Sequence, residues 1–283
     1  ESPLRHLYGL VDWRDWDLGR VAAVLPVHQM GAPFPLGRIL AVARAFRLPV
    51  VEDAACAVGS ELSENGGETW ERIGRPHGDV ACFSFHPRKI LTTGDGGMLT
   101  TESANYDAQF RLLRHHGMSV SDADRHISDE VIIESYLTTG FNYRMTDLQA
   151  AVGIEQLKKI DGILRERRAL AERYGELLAG VTWLETPEAD PFTRPNWQSY
   201  PVRLGGEAKG RQDELLGFLR SRGISARPGI MNSHEELAYA AQRWRLPESE
   251  KARAETVLLP LYPGMTEEEI RHVADSLRSF QAG

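Results

Sequence analysis

The chain has 283 residues, 42% hydrophobic and 26% charged, a composition of an ordinary globular protein that excludes disordered and collagen-like classes. Lys and Arg total 33 against 40 Asp and Glu, a net charge of -7 without long single-sign runs, so there is no electrostatic footprint for nucleic acid or an anionic membrane. The only cysteines, Cys56 and Cys82, are too few for a disulfide scaffold or a four-thiolate metal site and favour reduced thiols in the cytoplasm. No apolar stretch approaches the ~20 residues needed to span a bilayer, and the opening Glu1-Ser2-Pro3-Leu4-Arg5-His6 has none of the basic-then-apolar pattern of a secretion signal.

In chain order, Val21 to Val27 reads as a buried strand, Leu36 to Phe46 as an amphipathic helix and Leu48 to Val51 as the next strand. That βαβ rhythm predicts parallel pairing. Val80 to Phe85 and Gly97 to Thr101 fit two further strands, and Ala104 to Leu113 fits a helix. The polar segment from His116 to Thr139 is long for a connection, which marks it as functional or mobile and a candidate cover for an active site. Thr146 to Leu178 carries helical periodicity, with a break expected near Asp161-Gly162.

From about Val181 the pattern changes to an extended Ser199 to Leu204, a helix Arg211 to Arg222, a short strand around Ile224 and a helix Thr266 to Phe280. This predicts a compact α+β domain over 181–283 after a large domain over 1–180, with Glu185 to Pro195 as the linker.

Two blocks carry the chemistry. Val50-Val51-Glu52-Asp53-Ala54-Ala55 follows one strand, and Phe83-Ser84-Phe85-His86-Pro87-Arg88-Lys89 follows another, running into Thr92-Thr93-Gly94-Asp95-Gly96-Gly97. A pyridoxal phosphate site needs an amine to form a Schiff base and a carboxylate to keep the pyridine nitrogen protonated, and Lys89 and Asp53 are candidates for the two roles. Both sit at or beyond a strand's carboxyl end, where open α/β sheets bind ligands. Taken singly, such an Asp is more often a helix cap and such a Lys a solvated surface residue.

The wording of these blocks, together with Gly140-Phe141-Asn142-Tyr143-Arg144-Met145-Thr146-Asp147-Leu148-Gln149-Ala150-Ala151 and Leu258-Leu259-Pro260-Leu261-Tyr262-Pro263-Gly264-Met265-Thr266-Glu267-Glu268-Glu269, resembles the DegT/StrS family of PLP-dependent sugar aminotransferases from about Ala22 onward. The resemblance implies an α/β fold of the type I PLP-dependent transferase group, a mainly parallel sheet flanked by helices with a smaller C-terminal α+β domain. It implies an aminotransferase that converts a keto group of a nucleotide-linked sugar to an amine, with Glu or Gln as donor, working as a homodimer.

By the same resemblance, Lys89 is the Schiff-base lysine that also carries the proton, Asp53 the partner of the pyridine nitrogen and Ala55 a small residue that lets the ring approach. Ser84 takes the place of the phosphate-binding serine, and Asn142 that of a residue reaching the partner subunit's cofactor phosphate. Cys56 stands where many relatives carry a Gln that bonds the phenolic oxygen, and a thiol is a weaker donor. Arg88, Arg144, Arg227 and His234 are candidates for a diphosphate or a donor carboxylate. Adjacent His115 and His116 diverge along the chain and have no suitably spaced partner, so no metal is expected.

The phosphate-binding turn and aromatic-bearing strand with which family members begin have no counterpart here, and residues 1 to 20, with Trp13 and Trp16, match no family segment. The sequence therefore reads as lacking an N-terminal segment, which leaves a non-catalytic or regulatory homologue as the alternative. A PLP-dependent dehydratase ranks last, because family members with that activity replace the lysine that Lys89 retains.

Overall fold

The structure is a computed structural model that describes residues 20–120, 125, 131–239, 241 and 244–280. The expectations for residues 1 to 19, and for residues 121–124 and 126–130 within the segment from His116 to Thr139, concern residues outside that set. The chain forms two compact units, one built from Ala23–Leu164 with Asp190–Gln198 and the other including Arg165–Ala189 and the chain from Ser199 onward. Both differ from a single boundary at residue 180: the division falls at Leu164, and a short downstream segment returns to the first unit.

The first unit is organised around β1 (Val51–Asp53), paired in parallel with β4 (Val80–Ser84), which pairs antiparallel with β5 (Gly97–Thr100). Upstream, the stretch expected as a strand makes isolated parallel bridges, Val24 to Val50 and Val27 to Asp53, so the pairing implied by the βαβ rhythm is present there, but among the described strands only the β1–β4 ladder is parallel, and the expected mainly parallel sheet is not seen. β1 begins and ends later than the expected Leu48 to Val51, which makes Asp53 its last residue.

α1 (Leu36–Ala45) buries Leu36, Leu40 and Ala43, spaced about one turn apart, against Val50, Ala54, Ala57, Leu62, Ile73 and Ala81. It stops where Arg47 adopts a left-handed φ of 54° and the Leu48 amide donates back to the Ala43 carbonyl at 2.9 Å. Gly78 is required by close approach, since a Cβ there would meet the Val50 carbonyl oxygen at 2.8 Å.

α2 (Ala104–Leu113) is capped by Ser103, whose hydroxyl accepts from the Tyr106 amide. α3 (Asp147–Leu157) opens on a capping box between Thr146 and Gln149. The expected helix break lies before α4 (Ile160–Leu178) and not at Asp161-Gly162, because Gly162 falls in a first turn whose amides have no intrahelical partners to lose.

The expected linker over Glu185 to Pro195 contains a strand. β7 (Thr193–Arg194) pairs with β2 (Glu61–Leu62), which also pairs with β3 (Glu71–Arg72), all antiparallel. Pairing between distant segments overrides the Pro-rich composition that suggested a connector.

The second unit contains an antiparallel sheet in the order β6 (Leu184–Glu185), β8 (Tyr200–Leu204), β10 (Thr256–Leu259), β9 (Arg227–Pro228). Its other helices are α5 (Gln212–Ser221), α6 (Pro247–Glu255) and α7 (Glu267–Ser279), the last opened by a Thr266/Glu269 capping box. Leu204, Leu215, Leu219, Val257, Ile270 and Leu277 fill its core. Tyr174 is fully buried, stacks on Tyr200 at 4.8 Å and donates to the Pro260 carbonyl at 2.8 Å. The strand expected at Ile224 forms instead at Arg227–Pro228; Pro228 lies on the sheet's edge strand, where a missing amide is tolerated.

Candidate active site

Parallel pairing sets Asp53 opposite Cys82, two residues before the end of β4, so the carboxyl ends of both strands deliver side chains to one edge of the sheet. After β1 the chain turns sharply: Asp53 Oδ1 accepts from the Ala55 amide at 3.0 Å, and the Ala54 amide donates to the Cys82 carbonyl at 2.9 Å. Cys56 lies on this turn. After β4 a second turn carries Lys89, whose amide donates to the His86 carbonyl at 2.9 Å. The two turns meet where Lys89 Nζ donates to Cys56 Sγ at 3.0 Å, both side chains half-buried.

The structure thus joins Asp53, Ala55, Cys56 and Lys89 through direct contacts. Ser84, the last residue of β4, heads the Lys89 turn and accepts a long 3.4 Å bond from the His86 amide. Arg88 is exposed, and its amide donates to His86 Nδ1 at 3.2 Å. Asn142 and Arg144 stand together elsewhere in the same unit: Arg144 Nε donates to Asn142 Oδ1 at 3.4 Å, and Arg144 Nη1 lies 2.8 Å from Nε2 of buried His115. His116 takes a left-handed φ of 57° and donates its amide to the Phe141 carbonyl, fixing the entry to the Asn142 segment.

Arg227 and His234 belong to the other unit. Arg227 is exposed on β9. His234 Nε2 lies 3.0 Å from Glu250 Oε1, and that carboxyl, which also accepts from the Leu246 amide, is held below the usual range by that amide first and His234 second.

Sequence reasoning missed a buried acid beside Asp53. Glu52 points to the opposite face of β1, as strand alternation requires, and both it and His28 have no solvent exposure. His28 Nε2 lies 3.0 Å from Glu52 Oε2, and Glu52 Oε1 accepts from the His77 and Gly78 amides at 2.6 Å each. The Phe34 amide donates to His28 Nδ1, which leaves the ring proton on Nε2 facing the acid. Burial pushes the Glu52 carboxyl up, but the His28 bond and the Gly78 amide outweigh it and hold the group below its ordinary value. On the Asp53 side, burial pushes the Cys82 thiol up and the charges of Asp53 and Glu52 add to the effect, so Cys82 stays a neutral thiol at neutral pH.

Also missed were Asn196 and Gln198. The Gln198 amide donates to the Arg88 carbonyl at 2.7 Å and accepts from the Ile90 amide at 3.0 Å, gripping the backbone on both sides of Lys89. No local pattern marks a residue whose partners lie 108 positions away.

An amine, a carboxylate and a hydroxyl gathered at the carboxyl ends of neighbouring parallel strands suit pyridoxal phosphate, which requires one group to bond its carbonyl carbon, one to face its ring nitrogen and donors for its phosphate. An α/β unit bearing that set has the architecture of a pyridoxal-phosphate-dependent transferase.

The chain belongs to the DegT/DnrJ/EryC1/StrS aminotransferase family, whose model matches residues 18–278. Pyridoxal phosphate is the cofactor of that family. S. venezuelae DesV, solved in complex with a ketimine intermediate, is similar at 32% identity and a TM-score of 0.80, over 92% of this chain and 65% of that one. The aminotransferase TlmJ from Streptoalloteichus hindustanus is similar at 30% identity and a TM-score of 0.79, over 93% of this chain and 67% of that one. The sugar aminotransferase CalS13 from Micromonospora echinospora follows at 27% identity and 0.78, over 92% and 67%. The chain spans about two thirds of the length of these proteins.

Proposed function

We propose that this protein is a pyridoxal-phosphate-dependent aminotransferase that converts a keto group of a nucleotide-linked sugar to an amine, with Glu or Gln as the amino donor, and that Lys89 is the residue to which the cofactor attaches. The observation that carries this reading is the 3.0 Å contact of Lys89 Nζ with Cys56 Sγ, which sets the amine against the turn that the Asp53 carboxylate itself braces.

When bound, the cofactor supplies an aldehyde carbon and a ring that accepts electrons. Lys89 Nζ would hold the cofactor and, when free, would accept and return the proton that transamination moves. The Asp53 carboxylate keeps the pyridine nitrogen protonated, and Ala55, with a single methyl group, leaves room for the ring. Ser84 and Asn142 are assigned to the phosphate, Asn142 to that of the partner subunit. Arg88, Arg144 and Arg227 are suited to the sugar's diphosphate or the donor's carboxylate.

A homodimer is supported by apolar side chains that α3 leaves in solvent, Leu148 at 82% exposure with Val152, Ile154 and Leu157, and by exposed Met98 and Leu99 on β5. A cytoplasmic setting is supported by the free thiols Cys56 and Cys82. Among the described residues no helix is long and apolar enough to cross a membrane.

The test is borohydride reduction after incubation with pyridoxal phosphate, followed by peptide mass mapping. The cofactor is expected on the Lys89 peptide and absent from it in Lys89→Ala, whose turnover falls by roughly 100- to 10,000-fold. Fixation on another lysine, with Lys89→Ala fully active, would overturn the assignment.

A further inference from the structure

The segment Asn196-Trp197-Gln198 is the last part of the first unit before the chain enters the second at Ser199, and it touches both turns of the candidate site. Asn196 is fully buried. Its Nδ2 donates to the Cys56 carbonyl at 2.8 Å and to the Val58 carbonyl at 2.9 Å, so it fixes the turn that bears the thiol. Its Oδ1 accepts from the Gln198 amide at 2.8 Å, closing a short side-chain-to-backbone turn over Trp197, which adopts a left-handed φ of 54°. Gln198 then grips the Arg88 carbonyl and the Ile90 amide, the two peptide groups that flank Lys89.

These bonds form an unbroken path: Cys56 carbonyl, Asn196 side chain, Gln198 backbone and side chain, Lys89 turn. A bulky residue in the left-handed region is costly and is kept where the surroundings over-determine it. Here the Asn196 and Gln198 side chains hold the chain on either side of Trp197 to the two turns.

We propose that Asn196 and Gln198 are positioning residues that together set the distance between Lys89 Nζ and Cys56 Sγ, and hence the place of the amine in the site. The functional meaning of that distance rests on the assignment of Lys89 as the cofactor-bearing residue. The clamp itself does not depend on cofactor, so it is tested without one.

The probe is ortho-phthalaldehyde, which condenses with one amine and one thiol in contact, losing two water molecules, to give a fluorescent isoindole. In the cofactor-free protein the isoindole is expected to join the Lys89 and Cys56 peptides, read by fluorescence and peptide mass mapping. Gln198→Ala is expected to slow its formation roughly tenfold or more, because a displacement of about 1 Å between reacting groups has effects of that size. Gln198→Glu keeps an acceptor for the Ile90 amide and loses the donor to Arg88, so it falls between the two and serves if Gln198→Ala does not fold. Gln212→Ala is the control: Gln212 grips the Arg253 and Thr256 carbonyls at 2.7 Å each in the other unit, so losing it removes a comparable structural clamp far from Lys89 in sequence.

An isoindole rate in Gln198→Ala or Gln198→Glu equal to that of the unaltered protein overturns the proposal, as does an equal slowing in Gln212→Ala or the absence of a Lys89–Cys56 product in the unaltered protein. If the isoindole behaves as expected while borohydride fixes no cofactor on Lys89, the clamp stands and the assignment of Lys89 fails.

Discussion

Lys89 Nζ and Cys56 Sγ lie 3.0 Å apart although 33 positions separate them in the chain. The contact ties the turn after β4 to the turn after β1, and it places a thiol next to the amine on which the proposed chemistry depends. A thiol is a weak hydrogen-bond partner, so its contribution is to mark and shape the position of the amine more than to stabilise it.

Replacing that thiol should change the surroundings of a cofactor on Lys89 without detaching it. Cys56→Ser is expected to shift the visible absorbance maximum of the pyridoxal-phosphate-loaded protein while borohydride still fixes the cofactor on the Lys89 peptide. An unchanged maximum would remove Cys56 from contact with the cofactor.

Glu52→Gln puts an amide donor against the His28 Nε2 proton while keeping an acceptor for the His77 and Gly78 amides. The expected loss is about 1–3 kcal/mol at neutral pH, measured by urea unfolding. Because the folded protein holds the Glu52 carboxyl below its ordinary 4.5, the stability it contributes is present above that pH and is lost as pH falls through the folded value. The gap between the two proteins should therefore narrow in acid; a gap that widens there would contradict the arrangement.

Gly31 has a φ of 88°, and a Cβ on it would come within 1.9 Å of Asn196 Oδ1. Gly31→Ala is expected to destabilise by more than about 1 kcal/mol, through backbone strain and displacement of the Asn196 side chain. Thermal unfolding reads the first effect, and faster amide exchange at Ile90 reads the loosening of the Lys89 turn. Protection of Ile90 equal to that of the unaltered protein would show that Asn196 and Gln198 are not coupled.

In the second unit, Tyr174→Phe removes the hydroxyl that satisfies the Pro260 carbonyl but keeps the stacked ring. A loss of about 1 kcal/mol is expected, with attachment of cofactor at Lys89 unaffected. Loss of attachment would show that the packing around Tyr174 governs the site.

Four helices were legible from their periodicity: α1, α2, α5 and α7 begin and end within a residue of expectation, and Ser103 and Thr266 cap two of them, because periodicity and caps act over a single turn. Short strands were less so. β7 lies in a stretch that reads as a linker, and the strand near Ile224 forms three residues later, because a two-residue strand is defined by the partner it finds.

By itself the sequence determined the family and the cofactor and singled out the blocks that hold Asp53 and Lys89, since each sits in a contiguous run whose wording is specific. Only the tertiary structure decided that Lys89 meets Cys56, that His28 hydrogen-bonds Glu52 behind Asp53, and that Asn196 and Gln198 grip the two turns. The physical reason is that a hydrogen bond requires its partners at about 3 Å and in line. For groups up to 140 positions apart, the folded chain alone sets that distance.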